Sequence, residues 1–162
     1  MAELTNLEDK LGEVVGLAMA AQAATEKVMT LEEAEQFKDV LERMNAEAGE
    51  TEQRGTAIAD TIEGKKTAIL EKARETKSKG STMLKTYIDE DSDALDGFEF
   101  LTMAEAGEVG HWKILKTMAQ NAGRRELIEL AEWAVPIQER HFREATENSL
   151  KLAGEEDPNE AS

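Results

Sequence analysis

The chain contains no cysteine, which excludes disulfides, thiolate-ligated metal sites and thiol nucleophiles. Proline occurs only twice and aromatic residues make up 4% of the chain, so the usual material of sheets and turn-rich folds is scarce. No apolar run approaches the ~20 residues that span a membrane. The opening Met1-Ala2-Glu3-Leu4 lacks the basic and then apolar layout of a secretory signal. Basic residues are outnumbered, 19 Lys and Arg against 35 Asp and Glu, for a formal charge of −16. A phosphate-backbone partner needs a basic face. The expectations are no membrane, no nucleic acid and a cytoplasmic location, with solubility as the plain reading of the acidity.

What remains is helix-forming. The 162 residues suit one domain with a real core, and Ala, Glu, Leu and Lys are strong helix formers. Spacing at alternating three and four residues predicts a first helix over Leu4–Met29, with Leu7, Leu11, Val14, Ala18, Ala21, Thr25 and Val28 as its stripe. Thr30, followed three residues later by Glu33, reads as a capping box. It opens a second helix over Leu31–Glu63 with Phe37, Val40, Met44, Ala48, Thr51, Ile58 and Ile62 facing inward. Gly64–Gly80 is a Lys-rich connector with a short helix over Lys65–Lys77, and Ser81–Ser92 is a polar linker. A third helix runs from Asp93 to Ala122, Gly123 breaks it, and a fourth runs from Arg124 to about Ala153. The domain is thus 1–153, with 154–162 as a flexible acidic tail.

Two tight helical hairpins joined by a long connector match a four-helix bundle with a crossover between its second and third helices. On the third helix, Phe98, Leu101, Trp112, Leu115 and Ala119 define an apolar arc that also holds Glu105 and Glu108. Burying an ionised carboxylate costs several kcal/mol unless it is neutralised, on the order of that for each charge. Two carboxylates one turn apart also repel each other. A cation or a shared proton would relieve both penalties; a solvated edge for both residues is the plain alternative. On the fourth helix, Leu130, Ala134, Ile137, Ala145 and Leu152 form an arc that holds Gln138 and His141. Glu108 and Gln138 lie fifteen residues on either side of Gly123, and Glu105 and His141 eighteen. Equal rise along an antiparallel hairpin puts each pair at one level. Carboxylate, amide oxygen and imidazole suit iron, manganese or zinc.

Glu105-x-x-Glu108 and Gln138-x-x-His141 resemble the metal-binding half of rubrerythrin, a ferritin-like di-iron protein with Glu-x-x-Glu on its third helix and Glu-x-x-His on its fourth. The layout is also similar to the bacterial stress-protein branch of the ferritin-like superfamily. The resemblance implies an all-α ferritin-like four-helix bundle and an iron or manganese site. It also implies a glutamate from the first helix and Glu-x-x-His from the second. Glu13 and Glu47 lie at matching levels, seventeen residues on either side of Thr30, and Glu50 stands where the histidine would be. By the wheel Glu13 has a mixed face, Glu47 flanks its stripe and Glu50 points to solvent. Gln22 faces inward more squarely, nearer the hairpin end. Gln138 replaces a charged family ligand with a neutral one, so a dinuclear, a mononuclear and a degenerate site all stay open.

Three further features stand out. Glu108-x-x-His111 is itself a Glu-x-x-His string, although His111 falls about 80° off the arc. Pro136 removes a backbone hydrogen bond within the fourth helix, beside Gln138. Gly12, Gly16, Ala20 and Ala24 form a small-residue ridge on the first helix that admits a second helix closely, and a homodimer is one way to fill it. The functional expectation is a carboxylate-bridged metal protein handling oxygen or peroxide in a stress response, with Glu105, Glu108 and His141 binding metal and Gln138 tuning it. Without cysteine its electrons would come from a separate donor. The alternative is a non-catalytic helical protein whose metal site is degenerate or lost; iron storage in a cage is a third option that no residue specifies.

Overall fold

The computed structural model describes all 162 residues. They form α1 (Asn6–Met29), a 3-10 turn (Ala34–Phe37), α2 (Lys38–Thr61), α3 (Lys66–Tyr87), α4 (Ala94–Ala122) and α5 (Arg125–Glu155), with no strand. The third and fourth predicted helices are therefore α4 and α5, and the connector holds α3. No helix is long and apolar enough to cross a membrane. All seven stripe residues of α1 are buried. Of the α2 stripe, Phe37, Met44, Ala48 and Thr51 are buried, while Val40, Ile58 and Ile62 are only half-buried.

Capping boxes set two of the helix starts, but not where Thr30 suggested. Thr5 accepts from the Glu8 amide at 3.2 Å while its own amide donates to Glu8 Oε2 at 2.8 Å. Asp93 and Asp96 repeat the arrangement at α4, both bonds being 3.1 Å. Thr30 instead closes α1, its hydroxyl donating to the Lys27 carbonyl at 2.6 Å. Glu33 is left-handed, with φ of 65°. The reason is Ala34 and Phe37, both buried, with Phe37 edge-on to Phe98 at 4.9 Å between centroids. Burying a Phe side chain is worth about 1.5–3 kcal/mol, more than the ~1 kcal/mol of a typical cap. The Ala94 amide, donating to the Glu32 carbonyl at 3.0 Å, ties this turn to the start of α4.

The connector departs most from expectation. Lys66–Tyr87 is one helix of 22 residues, so the polar stretch after Gly80 is mostly helix rather than linker. Gly80 does not break it, because a Cβ there would lie 2.7 Å from Ala20 Cβ; the glycine allows α3 to approach α1. A Cβ on Gly12 would lie 2.8 Å from the Ile69 carbonyl oxygen, and one on Gly16 only 2.3 Å from that of Ala73. The small-residue ridge of α1 is thus filled by α3 of the same chain. Gly16→Ala gains about 1 kcal/mol of helix propensity, yet it drives a methyl into a backbone carbonyl, and overpacking costs about 1–3 kcal/mol. Urea denaturation should show a net loss of stability with unchanged oligomeric state.

Two apolar clusters divide the interior. One contains Leu11, Val14, Val15, Ile69, Trp112, Leu115, Leu127 and Leu130. The other contains Val28, Phe37, Leu41, Met44, Phe98, Leu101 and Leu152. Along α4 the clusters are separated by Glu105 and Glu108, and along α5 by Gln138 and His141. Glu47 holds the same level on α2, whereas α1 presents Ala18 and Ala21 there. α5 runs without interruption through Pro136.

Candidate functional site

Glu105, Glu108, Gln138 and His141 are each no more than 3% exposed. α4 and α5 run antiparallel from the left-handed Gly123, which brings the paired positions level. The Gln138 amide donates to Glu108 Oε2 at 3.0 Å. His141 Nδ1 stands 3.6 Å from Glu105 Oε2, and His141 Nε2 is 3.3 Å from Glu47 Oε1. Glu47 also accepts from the Arg140 guanidinium through Oε2, and Arg43 Nε lies 3.6 Å from its Oε1. The result is a chain of groups, Arg140–Glu47–His141–Glu105, beside a Glu108–Gln138 pair.

These neighbours set the protonation states. Burial pushes the Glu108 carboxyl well above the usual carboxylate range, the charge of Glu105 adds to this, and the Gln138 amide offsets only part. Burial alone would pull His141 down, but Glu105 and Glu47 together hold it above its ordinary value. Burial raises Glu47, and Arg140 and His141 outweigh it, leaving Glu47 below its ordinary value. Glu105 Oε2 and Gln138 Oε1 are buried acceptors without a hydrogen-bond partner, and Arg140 Nε and Trp112 Nε1 are buried donors without one, an omission that costs about 1–3 kcal/mol for each such group.

The other candidates lie elsewhere. Glu13 is half-buried and contacts Lys10, Lys72 at 3.8 Å and His111 Nδ1 at 3.4 Å. Lys10 and His111, ahead of Lys72, offset its burial and leave its carboxyl below its ordinary value. Gln22 turns to α2, donating to Glu52 at 2.5 Å and to the Ala18 carbonyl at 3.2 Å. Glu50 is exposed and pairs with Arg54 at 2.8 Å. Glu47, placed by the wheel only on the flank of its stripe, reaches the layer because Arg140 and His141 draw it there. Sequence reasoning did not single out Arg140; the one signal was a cation next to His141 in the chain.

A cavity of about 230 Å³ opens onto this layer, walled by Leu17, Ala21, Met83, Phe100, Met103 and Ala104, with Glu105, Glu108 and His111 also in its lining. It lies between α1, α3 and α4, where α1 contributes Ala20, Ala21 and Ala24 beside Leu17 and so leaves space unfilled. As they stand, no three His, Asp or Glu side chains converge closely enough to share a metal ion. The fold and site define an all-α protein with a buried acid–imidazole layer beside an apolar cavity. No protein-family model matches the chain, and no curated protein or solved structure matches it either.

Proposed function

We propose that this is a ferritin-like four-helix bundle of α1, α2, α4 and α5, with α3 in the crossover, that binds one iron or manganese ion in the buried layer. The observation that carries the reading is that Glu105 Oε2 and Gln138 Oε1 are buried acceptors with no hydrogen-bond partner, on the same layer as buried Glu108 and His141; a cation would satisfy both. Glu105, Glu108 and His141 Nδ1 would hold the ion, with Gln138 Oε1 as a weaker fourth donor. Glu47 accepts from the opposite ring nitrogen, Nε2, the arrangement that orients a ligating histidine and raises its basicity. One ion is favoured over two because α1 supplies Ala18 and Ala21 at this level, while Glu13 is held by Lys10 and Lys72. A bound iron or manganese ion would supply redox chemistry toward oxygen or peroxide, with electrons from a separate donor.

In that role Glu108, which now accepts from the Gln138 amide, would serve as a ligand instead, and the cavity beside it leaves room for the side chain to move. His141 must be neutral to ligate, and its raised proton affinity makes binding weaken in acid. A second reading, a helical protein that has lost its metal, draws on the present geometry, in which Glu108 is satisfied by Gln138 and no three acids or imidazoles converge. Protein loaded with manganese or iron and then desalted separates the two. The metal reading expects retention of up to about one ion per chain, lost in Glu108→Ala and His141→Ala and kept in Glu13→Ala and Glu50→Ala. No retention by the unaltered protein sinks it and leaves the second reading.

A further inference from the structure

The cavity is larger than the ~150 Å³ that suffices for benzene in an apolar interior. Its walls are aliphatic, methionine and phenylalanine side chains from α1, α3 and α4, and its polar lining is Glu105, Glu108 and His111, whose Nδ1 faces Glu13 and Lys10. Both carboxyl groups are almost fully buried. Glu108 accepts one protein hydrogen bond, at Oε2, so its Oε1 has no protein donor, and Glu105 Oε2 has no hydrogen bond, its nearest cationic neighbour being His141 Nδ1 at 3.6 Å. A molecule entering here meets apolar contact along its body and acceptors at its end, with no lysine or arginine in the lining.

We propose that this cavity is a binding site for a small monoamine with an apolar body, its ammonium group seated against Glu105 and Glu108 and its alkyl or aryl portion against Leu17, Ala21, Phe100 and Ala104. The inference shares Glu105 and Glu108 with the metal reading but does not require that a metal be held. A neutral alcohol of the same shape offers one donor and no charge, whereas an ammonium offers three donors and neutralises a buried carboxylate. An acid would add a further negative charge to a site that already holds two carboxyl groups. The net charge of −16 favours the approach of a cation over an anion. Met83 and Met103, 46% and 40% exposed, are unbranched side chains that adapt to bodies of different shape.

Calorimetric titration of the full chain in chelator, with phenethylamine and with phenethyl alcohol as probes, tests this. The amine should bind at least about tenfold more tightly than the alcohol, the ratio expected of a charge-assisted hydrogen bond. Glu108→Gln should remove that preference while keeping the fold, since it deletes the group that can yield its proton and pair with an ammonium and preserves the shape. Ala104→Phe should abolish binding of both probes by filling the cavity; Ala21→Leu provides the same test from the α1 side if Ala104→Phe does not fold. Equal affinity for amine and alcohol, unchanged amine binding in Glu108→Gln, or no amine binding to the unaltered protein each overturns the proposal. Metal retention by Ala104→Phe is scored separately. That variant keeps every proposed ligand, so amine binding that persists in it overturns only the cavity, and absence of metal retention by the unaltered protein overturns only the metal.

Discussion

Glu108→Gln should make the metal-free protein more stable at neutral pH, although it removes an acid from the heart of a polar layer. Glu108 is buried beside Glu105, and both burial and that neighbour raise its pKa. A carboxyl group raised in the folded state contributes nothing while both states are protonated. Once pH passes the unfolded value, about 4.3, the unfolded chain releases its proton first and stability falls until the raised folded pKa is reached. Each unit of that elevation is worth about 1.4 kcal/mol. The variant carries no such penalty, and its amide can still pair with Gln138. Thermal or urea melts in chelator from pH 4 to 8 should show the two proteins diverging as pH rises, with Glu108→Gln above by at least ~1 kcal/mol at pH 7. If the two curves run parallel, Glu108 is not an acid held neutral by its surroundings. Metal should reverse the order, because an ion bound only by the folded state adds about 2.7 kcal/mol at one hundred times its dissociation constant and needs the carboxylate that the variant lacks.

Glu105→Gln should do the opposite, and His141→Ala should be worse still. Glu105 and Glu108 are one turn apart on α4 and equally buried, yet Glu105 faces the imidazole of His141 at 3.6 Å while Glu108 faces an amide. Removing the imidazole leaves Glu105 a buried carboxylate without a counter-charge, and breaking a buried pair from one side costs about 3–5 kcal/mol. It also frees Glu47 from one of its two closest partners. His141 is held above its ordinary value, so its contribution is fully present below about pH 6.5 and fades as pH rises through the folded value. The His141→Ala loss should therefore be larger at pH 6 than at pH 9. The double variant His141→Ala, Glu105→Gln should recover part of it, with a coupling of about 0.5–3 kcal/mol between the two sites. Strictly additive losses would mean that the two side chains do not share a proton or a charge.

The contrast between these two glutamates shows where sequence reasoning stops. Apolar periodicity alone determined that the chain is helical, that Gly123 ends α4, and that Glu105, Glu108, Gln138 and His141 lie on the inward arcs of a hairpin. It does so because a 3.6-residue repeat and a uniform rise per residue are local properties. Which partner each polar group meets is not local. The wheel gave Glu105 and Glu108 the same penalty, and only the packing of α5 against α4 gave one an imidazole and the other an amide. Glu47 looked marginal on its own helix and joins the layer through Arg140 and His141, ninety-three and ninety-four residues away. Thr30 and Glu33 carried a sound capping pattern that lost to the burial of Phe37 against Phe98, a contact between distant segments. Gly12, Gly16 and Ala20 were legible as a surface for a second helix, but not as the seat of α3, because Gly80 reads as a helix breaker until the close approach that requires it is known. The cavity is the furthest from the sequence of all: it is the space left between α1, α3 and α4, where α1 brings mostly alanine and α3 brings Gly80.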